Sequence, residues 1–232
     1  MSEISEDPAA GAEFRITRQA LADGSLLARM RALRLPGLAL KSDAEIEASL
    51  DAVLATHPPG TDAFVFGYGS LMWNPAFAFA ARHLAILHGW HRRFCLRMPF
   101  GRGTPERPGL MMALDRGGSC RGIVFRIAAA HVRDELLLVW RREMSGTAYR
   151  ARWVTVRTAA GNVRAVTFVV DHAHPRYVRH LTEDEIADTI AHAAGPLGSC
   201  ASYLSQTIAA LSALGVTDHG LERLAAEVAD RA

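Results

Sequence analysis

The segment Phe64–Pro75 reads FVFGYGSLMWNP, and the fold can be read outward from it. Its first residues are apolar and aromatic, which is typical of a buried β-strand. Two glycines then flank Tyr68, and Ser70 follows directly. Because Gly69 lacks a Cβ, its backbone can approach a ligand closely or adopt conformations that other residues avoid. The segment therefore predicts a strand that ends in a loop suited to a small polar molecule.

Further strand patterns follow this segment. One helix, from about His131 to Arg142, interrupts them, and helical patterns continue after Thr182. Strands first and helices last indicate an α+β fold with a mostly antiparallel, strongly curved sheet. Glycine-rich turns, such as the one predicted at 116–119, separate the strands. Apolar runs predict these strands at 63–67, 83–98, 109–114, 121–127, 150–157 and 163–171.

Residues 1–60 differ in composition from the rest of the chain. They are rich in Ala, Leu, Arg and Glu and poor in β-branched and aromatic residues. The capping-box pattern at 42–45 begins a helix that ends before Pro58. We expect residues 1–60 to form a helical extension packed on the core, and residues 61–232 to form the main domain.

The composition argues against a nucleic-acid-binding, membrane-spanning or disulfide-bonded protein. The 232 residues are half hydrophobic and 22% charged, with a net charge of +2, a balance that does not favour nucleic-acid binding. No run of about 18 apolar residues predicts a membrane span, and the acidic N-terminus does not resemble a signal peptide. Cys95, Cys120 and Cys200 are odd in number and far apart, which predicts reduced thiols in a cytoplasmic protein.

Glu143 is the leading candidate for acid–base chemistry. It lies at the predicted end of a helix, beside apolar Trp140 and Met144. The helix macrodipole and an apolar environment both raise the pKa of a glutamate from about 4.3 toward neutral, where it can act as a general base. The alternative is an ordinary solvated carboxylate at a helix end.

The glycine-rich segments do not match the motifs of nucleotide-binding or serine-nucleophile sites. The loop at Gly69 lacks the third glycine and the following helix of a dinucleotide site, and Met72 stands where a serine nucleophile elbow needs glycine. The loop 100–109 carries Arg102, which either supplies a guanidinium to a substrate carboxylate or belongs to an ordinary polar turn.

His172 and His174 are two residues apart and would face the same side of a strand, as two metal ligands can. The sequence offers no comparable motif for a third ligand. A loop without metal is therefore the preferred interpretation.

Taken together, these motifs resemble the glutathione-specific branch of the ChaC family of γ-glutamylcyclotransferases. The resemblance runs from about residue 62 to 215, and its motifs are specific as a set. They are the segments 64–75, 89–94 and 102–105, the pair Arg142-Glu143 with Tyr149 beyond it, Tyr177, 195–198 and 203–204.

The resemblance implies a small mixed β-barrel with surrounding helices, in which residues 61–232 are the catalytic domain. Glu143 would be the catalytic acid/base, Tyr149 would line the pocket, and Tyr203 is a further candidate. No metal or organic cofactor is implied. Many relatives have Asn at the position of Cys200, which puts a polar contact there in doubt. The residues that would bind the γ-glutamyl group are Val65, Phe66, Gly67, Tyr68, Gly69, Ser70 and Leu71.

The implied reaction converts glutathione to 5-oxoproline and Cys-Gly. The α-amine of the γ-glutamyl group attacks its own γ-carbonyl, so the protein needs a base and a means of holding a folded substrate, but no nucleophile. The substrate carboxylates would bind Arg102 or the helix N-terminus near Ser199. We expect neither a nucleic-acid nor a membrane partner, and the oligomeric state, monomer or weak dimer, stays open.

Three alternatives remain. The substrate can be another γ-glutamyl compound, or the protein can bind a γ-glutamyl ligand without turnover. A hydrolase using Ser70 would need a histidine–acid pair that the sequence does not offer.

Overall fold

The computed structural model describes residues 14–35 and 37–231. Residues 1–13 of the predicted N-terminal extension lie outside the described residues. The described helices are α1 (Arg18–Ala22), α2 (Ser25–Ala32), α3 (Asp43–Leu54), α4 (Val132–Glu143), α5 (Glu183–His192), α6 (Cys200–Ser212) and α7 (His219–Ala229). The strands are β1 (Ala63–Gly67), β2 (Ala81–Met98), β3 (Gly109–Ile127), β4 (Tyr149–Thr158), β5 (Gly161–Val170), β6 (Ala194–Gly195) and β7 (Gly198–Ser199).

Five strands form a closed barrel in the order β1-β3-β2-β4-β5. Neighbouring pairs in this order are antiparallel, and a parallel pairing of Val65 with Val166 joins β1 to β5. The barrel is therefore mixed, and helices surround it. This confirms the predicted α+β class and the small, strongly curved mixed barrel.

The turn predicted at 116–119 is wrong, because β3 runs through it as one strand. Gly117 and Gly118 have φ values of 99° and 64°, and Gly89 on the facing strand has a φ of 81°. The register of β2 and β3 shifts at this point, as it does at a β-bulge. The glycines therefore bend a continuous hairpin where the sequence pattern suggested a turn.

Side-chain caps stabilise the N-termini of several helices, including the helix predicted from the capping box at 42–45. Ser42 and Thr182 each complete a capping box with a glutamate three residues later. Ser199 caps α6 by accepting a hydrogen bond from the amide of Ser202. The helix α5 ends at His192, and Gly195 lies beyond it in the short β6–β7 hairpin.

The core has two sides. Phe66 and Leu114 belong to a cluster inside the barrel, whereas Val65 belongs to a larger cluster beneath the helices. That larger cluster includes Leu21 and Ile46, so the N-terminal helices pack against the same core as the barrel. No helix among the described residues is long and apolar enough to cross a membrane.

Candidate active site

The loop after β1 is held from within the protein. Tyr68 is buried, and its hydroxyl donates a hydrogen bond to the carbonyl of Phe168 at 2.9 Å. A Cβ on Gly69 would lie 2.6 Å from the Tyr203 hydroxyl, closer than a real Cβ comes to its neighbours. The second glycine is therefore required by the approach of α6, and a 3₁₀ turn begins at Ser70 directly after it.

Glu143 is the last residue of α4. Its side chain is 18% exposed, and its Oε1 lies 3.0 Å from the Arg142 Nε. Burial raises the pKa of Glu143 above its ordinary value, while the positive charge of Arg142 lowers it by a smaller amount. The net rise in pKa suits a carboxylate that takes up and returns a proton.

Arg142 connects Glu143 to the loop. It donates a hydrogen bond from Nη2 to the Ser70 Oγ at 2.8 Å. Its Nη1 donates to the carbonyls of Asn74 and Pro75, so the guanidinium connects the start of the 3₁₀ turn with the segment that follows it. One buried side chain thus fixes the distance between the carboxylate and the loop.

Two tyrosines complete the surroundings of Glu143. The Tyr149 hydroxyl donates to the carbonyl of Met112 at 2.9 Å, and the Tyr203 ring packs edge-on against Trp73. Burial raises the pKa of both phenols well above the ordinary value, with smaller contributions from the charge of Glu143. Both hydroxyls are therefore neutral at ordinary pH, and each can donate a proton in a hydrogen bond.

These side chains surround a cavity of about 180 Å³. The loop contributes Tyr68, Gly69, Ser70 and Leu71, and the other polar residues in the wall include Arg142, Glu143, Tyr149, Arg176 and Tyr203. The N-terminal region supplies an apolar wall, formed by Phe14, Ile16, Leu26, Met30, Leu38 and Leu40.

Three residues of the predicted binding loop do not line this cavity. Val65 and Phe66 are fully buried on opposite faces of β1, since successive strand residues alternate in direction. Gly67 lies where a Cβ would come 2.9 Å from the Leu71 Cβ. Their contribution to the site is to fix where β1 ends and the loop begins.

Arg102 lies in the wall of a neighbouring groove of about 610 Å³, which shares Ser70 and Tyr203 with the cavity. Its Nη1 donates to the carbonyl of Ser199 at 2.8 Å and to the Ser202 Oγ at 2.9 Å. Its guanidinium lies 5.1 Å from the centre of the Tyr203 ring. Arg102 and the N-terminus of α6, predicted as separate anion sites, are thus in direct contact.

Cys200 makes polar contacts from its buried position. Its thiol donates to the carbonyl of Arg102 at 3.1 Å, with the carbonyl of Leu110 at 3.5 Å. A Cβ on Gly109 would lie 2.7 Å from the Cys200 sulfur, so the contact is tightly packed. The cysteine therefore holds the 100–109 loop against α6.

The two histidines have protein partners. His172 lies 2.7 Å from Asp115, and His174 lies 3.0 Å from Thr147. Within the part of the chain that the structure describes, no three His, Cys, Asp or Glu side chains are grouped as metal ligands are.

Sequence reasoning missed two parts of the site. The first is Arg176, which lies in the cavity wall although it follows a histidine and a proline in a polar loop. The second is the apolar wall from the N-terminal region. The apolar residues at 26, 30, 38 and 40 indicate that this region packs against another part of the protein. The sequence does not indicate that they line the cavity.

Comparison with known proteins places these features in context. A family model described as ChaC-like protein matches residues 63–231. The glutathione-specific gamma-glutamylcyclotransferase of Escherichia coli (strain K12) is 43% identical over 182 residues, which is 78% of this chain and 79% of that protein. Glutathione-specific gamma-glutamylcyclotransferase 1 of Danio rerio is 30% identical, over 61% of this chain and 74% of that protein.

Among solved structures, a gamma-glutamylcyclotransferase specific to glutathione from yeast has a similar fold. Its selenomethionine-labelled form superimposes with a TM-score of 0.68 at 24% sequence identity. The match covers 74% of this chain and 97% of the yeast chain. The shared fold therefore extends over nearly the whole yeast protein.

Proposed function

Because this chain belongs to the ChaC-like protein family, we propose that it is a glutathione-specific γ-glutamylcyclotransferase that cleaves glutathione to 5-oxoproline and Cys-Gly. The observation that carries the proposal is Glu143, a carboxylate of raised pKa in the wall of a small cavity, beside a loop that it contacts through Arg142. The similarity to glutathione-specific relatives supports the choice of substrate.

The chemistry needs little beyond this arrangement. The substrate α-amine attacks the γ-carbonyl carbon, a five-membered lactam forms, and the bond to the cysteine nitrogen breaks. Glu143 takes a proton from the attacking amine and returns it to the leaving amine, so one carboxylate serves both steps. Because the attack is intramolecular, holding the substrate folded supplies much of the rate.

We propose binding roles for the residues around the cavity. Tyr68, Gly69, Ser70, Leu71, Tyr149 and Tyr203 contact the γ-glutamyl group, and Val65, Phe66 and Gly67 hold that loop from beneath. We propose that backbone amides of the loop bind the α-carboxylate or the developing oxyanion. Arg102 shapes the groove beyond, where it lies over the rings of Tyr203 and Trp73.

We propose a division of the chain into a helical extension, residues 1–60, and a catalytic domain, residues 61–232. We also propose a cytoplasmic location, which three buried free cysteines support because reduced thiols are typical of that compartment. The oligomeric state remains open between a monomer and a weak dimer.

Turnover of defined substrates tests the function. The purified protein is incubated separately with glutathione, γ-Glu-Ala and γ-Glu-ε-Lys, and 5-oxoproline is measured by mass spectrometry. The proposal expects 5-oxoproline from glutathione alone. Release from the other two compounds would indicate a broader cyclotransferase, and binding of glutathione without any product would indicate a ligand-binding protein.

A further inference from the structure

Arg176 carries a positive charge in the cavity wall without an acid to balance it. Its Nε is buried and lacks a hydrogen-bond acceptor, and its Nη1 donates only to the sulfur of Met98, at 3.1 Å. Sulfur is a weak acceptor, and a buried donor left unpaired costs free energy. Among the described residues, no carboxylate lies within ion-pair distance of Arg176; Asp171 pairs with Arg150 instead.

The guanidinium lies where a substrate can reach it. Arg176 lines the cavity that contains Glu143, and it also lines a separate outer groove formed with Leu35, Gly37, Leu38 and Ala39. A Cβ on Gly146, another residue of the cavity wall, would lie 3.6 Å from the Arg176 Nη2. Arg176 is therefore at the boundary between the enclosed cavity and the surface.

The size of the cavity indicates which end of the substrate lies near Arg176. At about 180 Å³ it is smaller than the roughly 300–1,000 Å³ of ligand sites that enclose a whole small molecule. With the γ-glutamyl group bound beside Glu143, the remainder of a tripeptide must extend to the boundary of the cavity. The far end of glutathione is the carboxylate of its glycine.

The α-carboxylate is the less suitable partner for Arg176. It is attached to the carbon that carries the attacking amine, so it lies close to Glu143 during the reaction. The cation paired with Glu143 is Arg142, at 3.0 Å, and no ion pair joins Glu143 to Arg176. Of the other arginines, Arg141 also lines the cavity but donates to the carbonyls of Leu21 and Ala22. Arg102 already donates to two oxygens of the α6 N-terminus and does not line the cavity.

We propose that Arg176 binds the glycine carboxylate of glutathione and thereby selects a substrate with an anionic distal end. This inference rests on the proposed function. A planar guanidinium can donate two parallel hydrogen bonds to a carboxylate, which gives geometric specificity as well as free energy. The pairing also supplies the acceptor that the buried Nε lacks.

The test compares glutathione with its glycine amide, in which a neutral carboxamide replaces the distal carboxylate. Wild-type protein is expected to have a kcat/KM for the amide about 10- to 100-fold lower than for glutathione. Arg176→Gln should lose a similar factor on glutathione and should use both compounds about equally. Arg176→Lys keeps the positive charge but cannot donate two parallel hydrogen bonds. Its preference for glutathione over the amide should lie between those of the wild type and Arg176→Gln.

Arg133→Gln is the matched control, because it removes the same charge from an arginine that pairs with Asp51 on the protein surface. It should retain the wild-type preference for glutathione. Equal use of both compounds by the wild type, or a preference that persists in Arg176→Gln, would overturn the assignment. A loss in Arg176→Gln that is the same for both compounds would also contradict it.

Binding separates this inference from the proposed function. The dissociation constants of glutathione and of its glycine amide are measured by calorimetry on Glu143→Gln protein, in which turnover does not interfere. The same measurements are made on the Glu143→Gln, Arg176→Gln double variant. Absence of 5-oxoproline from the wild type would reject the function, whereas weaker binding of the amide that depends on Arg176 would still support the inference. Failure of the protein to bind glutathione would reject both.

Discussion

Arg142 donates a hydrogen bond to the Ser70 Oγ at 2.8 Å, across 72 positions of sequence. The same guanidinium pairs with Glu143 through its Nε. Ser70 is therefore the acceptor that places the loop relative to the carboxylate. This contact favours a positioning role for Ser70, and no histidine of the described residues is hydrogen-bonded to its hydroxyl.

Ser70→Ala tests that role. The variant removes one hydrogen bond to a charged donor, worth about 1.5–3 kcal/mol, so kcat/KM for glutathione should fall about 10- to 100-fold. A nucleophilic serine would lose far more, since removing a nucleophile costs on the order of 10⁶-fold in kcat. Steady-state release of 5-oxoproline distinguishes the two. Loss of all measurable activity in a folded Ser70→Ala protein would revive the hydrolase hypothesis.

Much of the fold could be predicted because its signals are local. The apolar run of β1 and the capping boxes at Ser42 and Thr182 depend on residues within one element. Glu143 could be located at the end of α4 for the same reason. The continuity of β3 could not, because a glycine pair with positive φ is as suitable for a turn as for a bulge.

The site was less accessible to prediction because it depends on contacts between distant segments. The loop residues Gly69 and Ser70 were identified, but the approach of Tyr203 and the bond from Arg142 depend on how the barrel closes. Val65 and Phe66 belong to the same motif, yet the strand turns them into the core. A motif therefore located the site without saying which of its members line the cavity.

Glu143→Gln should abolish most of the activity while preserving the shape of the site. The amide oxygen can still accept the hydrogen bond from Arg142, but the side chain no longer accepts a proton from the amine. The expected loss in kcat is about 10²- to 10⁴-fold. A thermal melt checks that the variant is folded, and Glu47→Gln, a substitution on the exposed face of α3, is the control. A Glu143→Gln protein with near wild-type kcat would remove Glu143 from the mechanism.

The pH profile should reflect the environment of Glu143. Burial raises the pKa of this carboxyl, and the base form is lost as the pH falls through that raised value. The acid limb of kcat/KM should therefore lie at higher pH than the pKa of an ordinary glutamate. Because Arg142 lowers the pKa, Arg142→Gln should move the limb to still higher pH. A limb that stays in place in a folded Arg142→Gln protein would show that another group controls it.

Gly69→Ala should disrupt the loop through a clash with the Tyr203 hydroxyl, and Tyr203→Phe should relieve that clash. The new Cβ would lie 2.6 Å from the Tyr203 hydroxyl, but the next Tyr203 atom, Cζ, is 3.8 Å away. Removing only that hydroxyl, in Tyr203→Phe, leaves an ordinary van der Waals distance. The double variant should therefore have a higher melting temperature and a lower KM than Gly69→Ala alone. If Tyr203→Phe instead adds its own loss to that of Gly69→Ala, the hydroxyl is not the source of the clash.

Asp115 should make the protein sensitive to acid at a site away from the cavity. Burial raises the pKa of Asp115, but hydrogen bonds from His172, the Arg116 amide, Tyr177 and Arg93 outweigh it and lower the pKa to about 2. A carboxyl whose pKa is lower in the folded than in the unfolded state stabilises the fold above its unfolded pKa, here 3.8. That stabilisation, about 2 kcal/mol, should be lost as the pH falls from about 4 to about 2.

Urea unfolding at a series of pH values measures this loss. Asp115→Asn should be less stable than the wild type at neutral pH, and the difference between them should shrink as the pH falls through that window. Asp188→Asn, at a side chain that is 65% exposed, is the matched control and should follow the wild-type curve. A constant difference between Asp115→Asn and the wild type from pH 7 to pH 2 would mean that the hydrogen bonds to Asp115 do not depend on its charge.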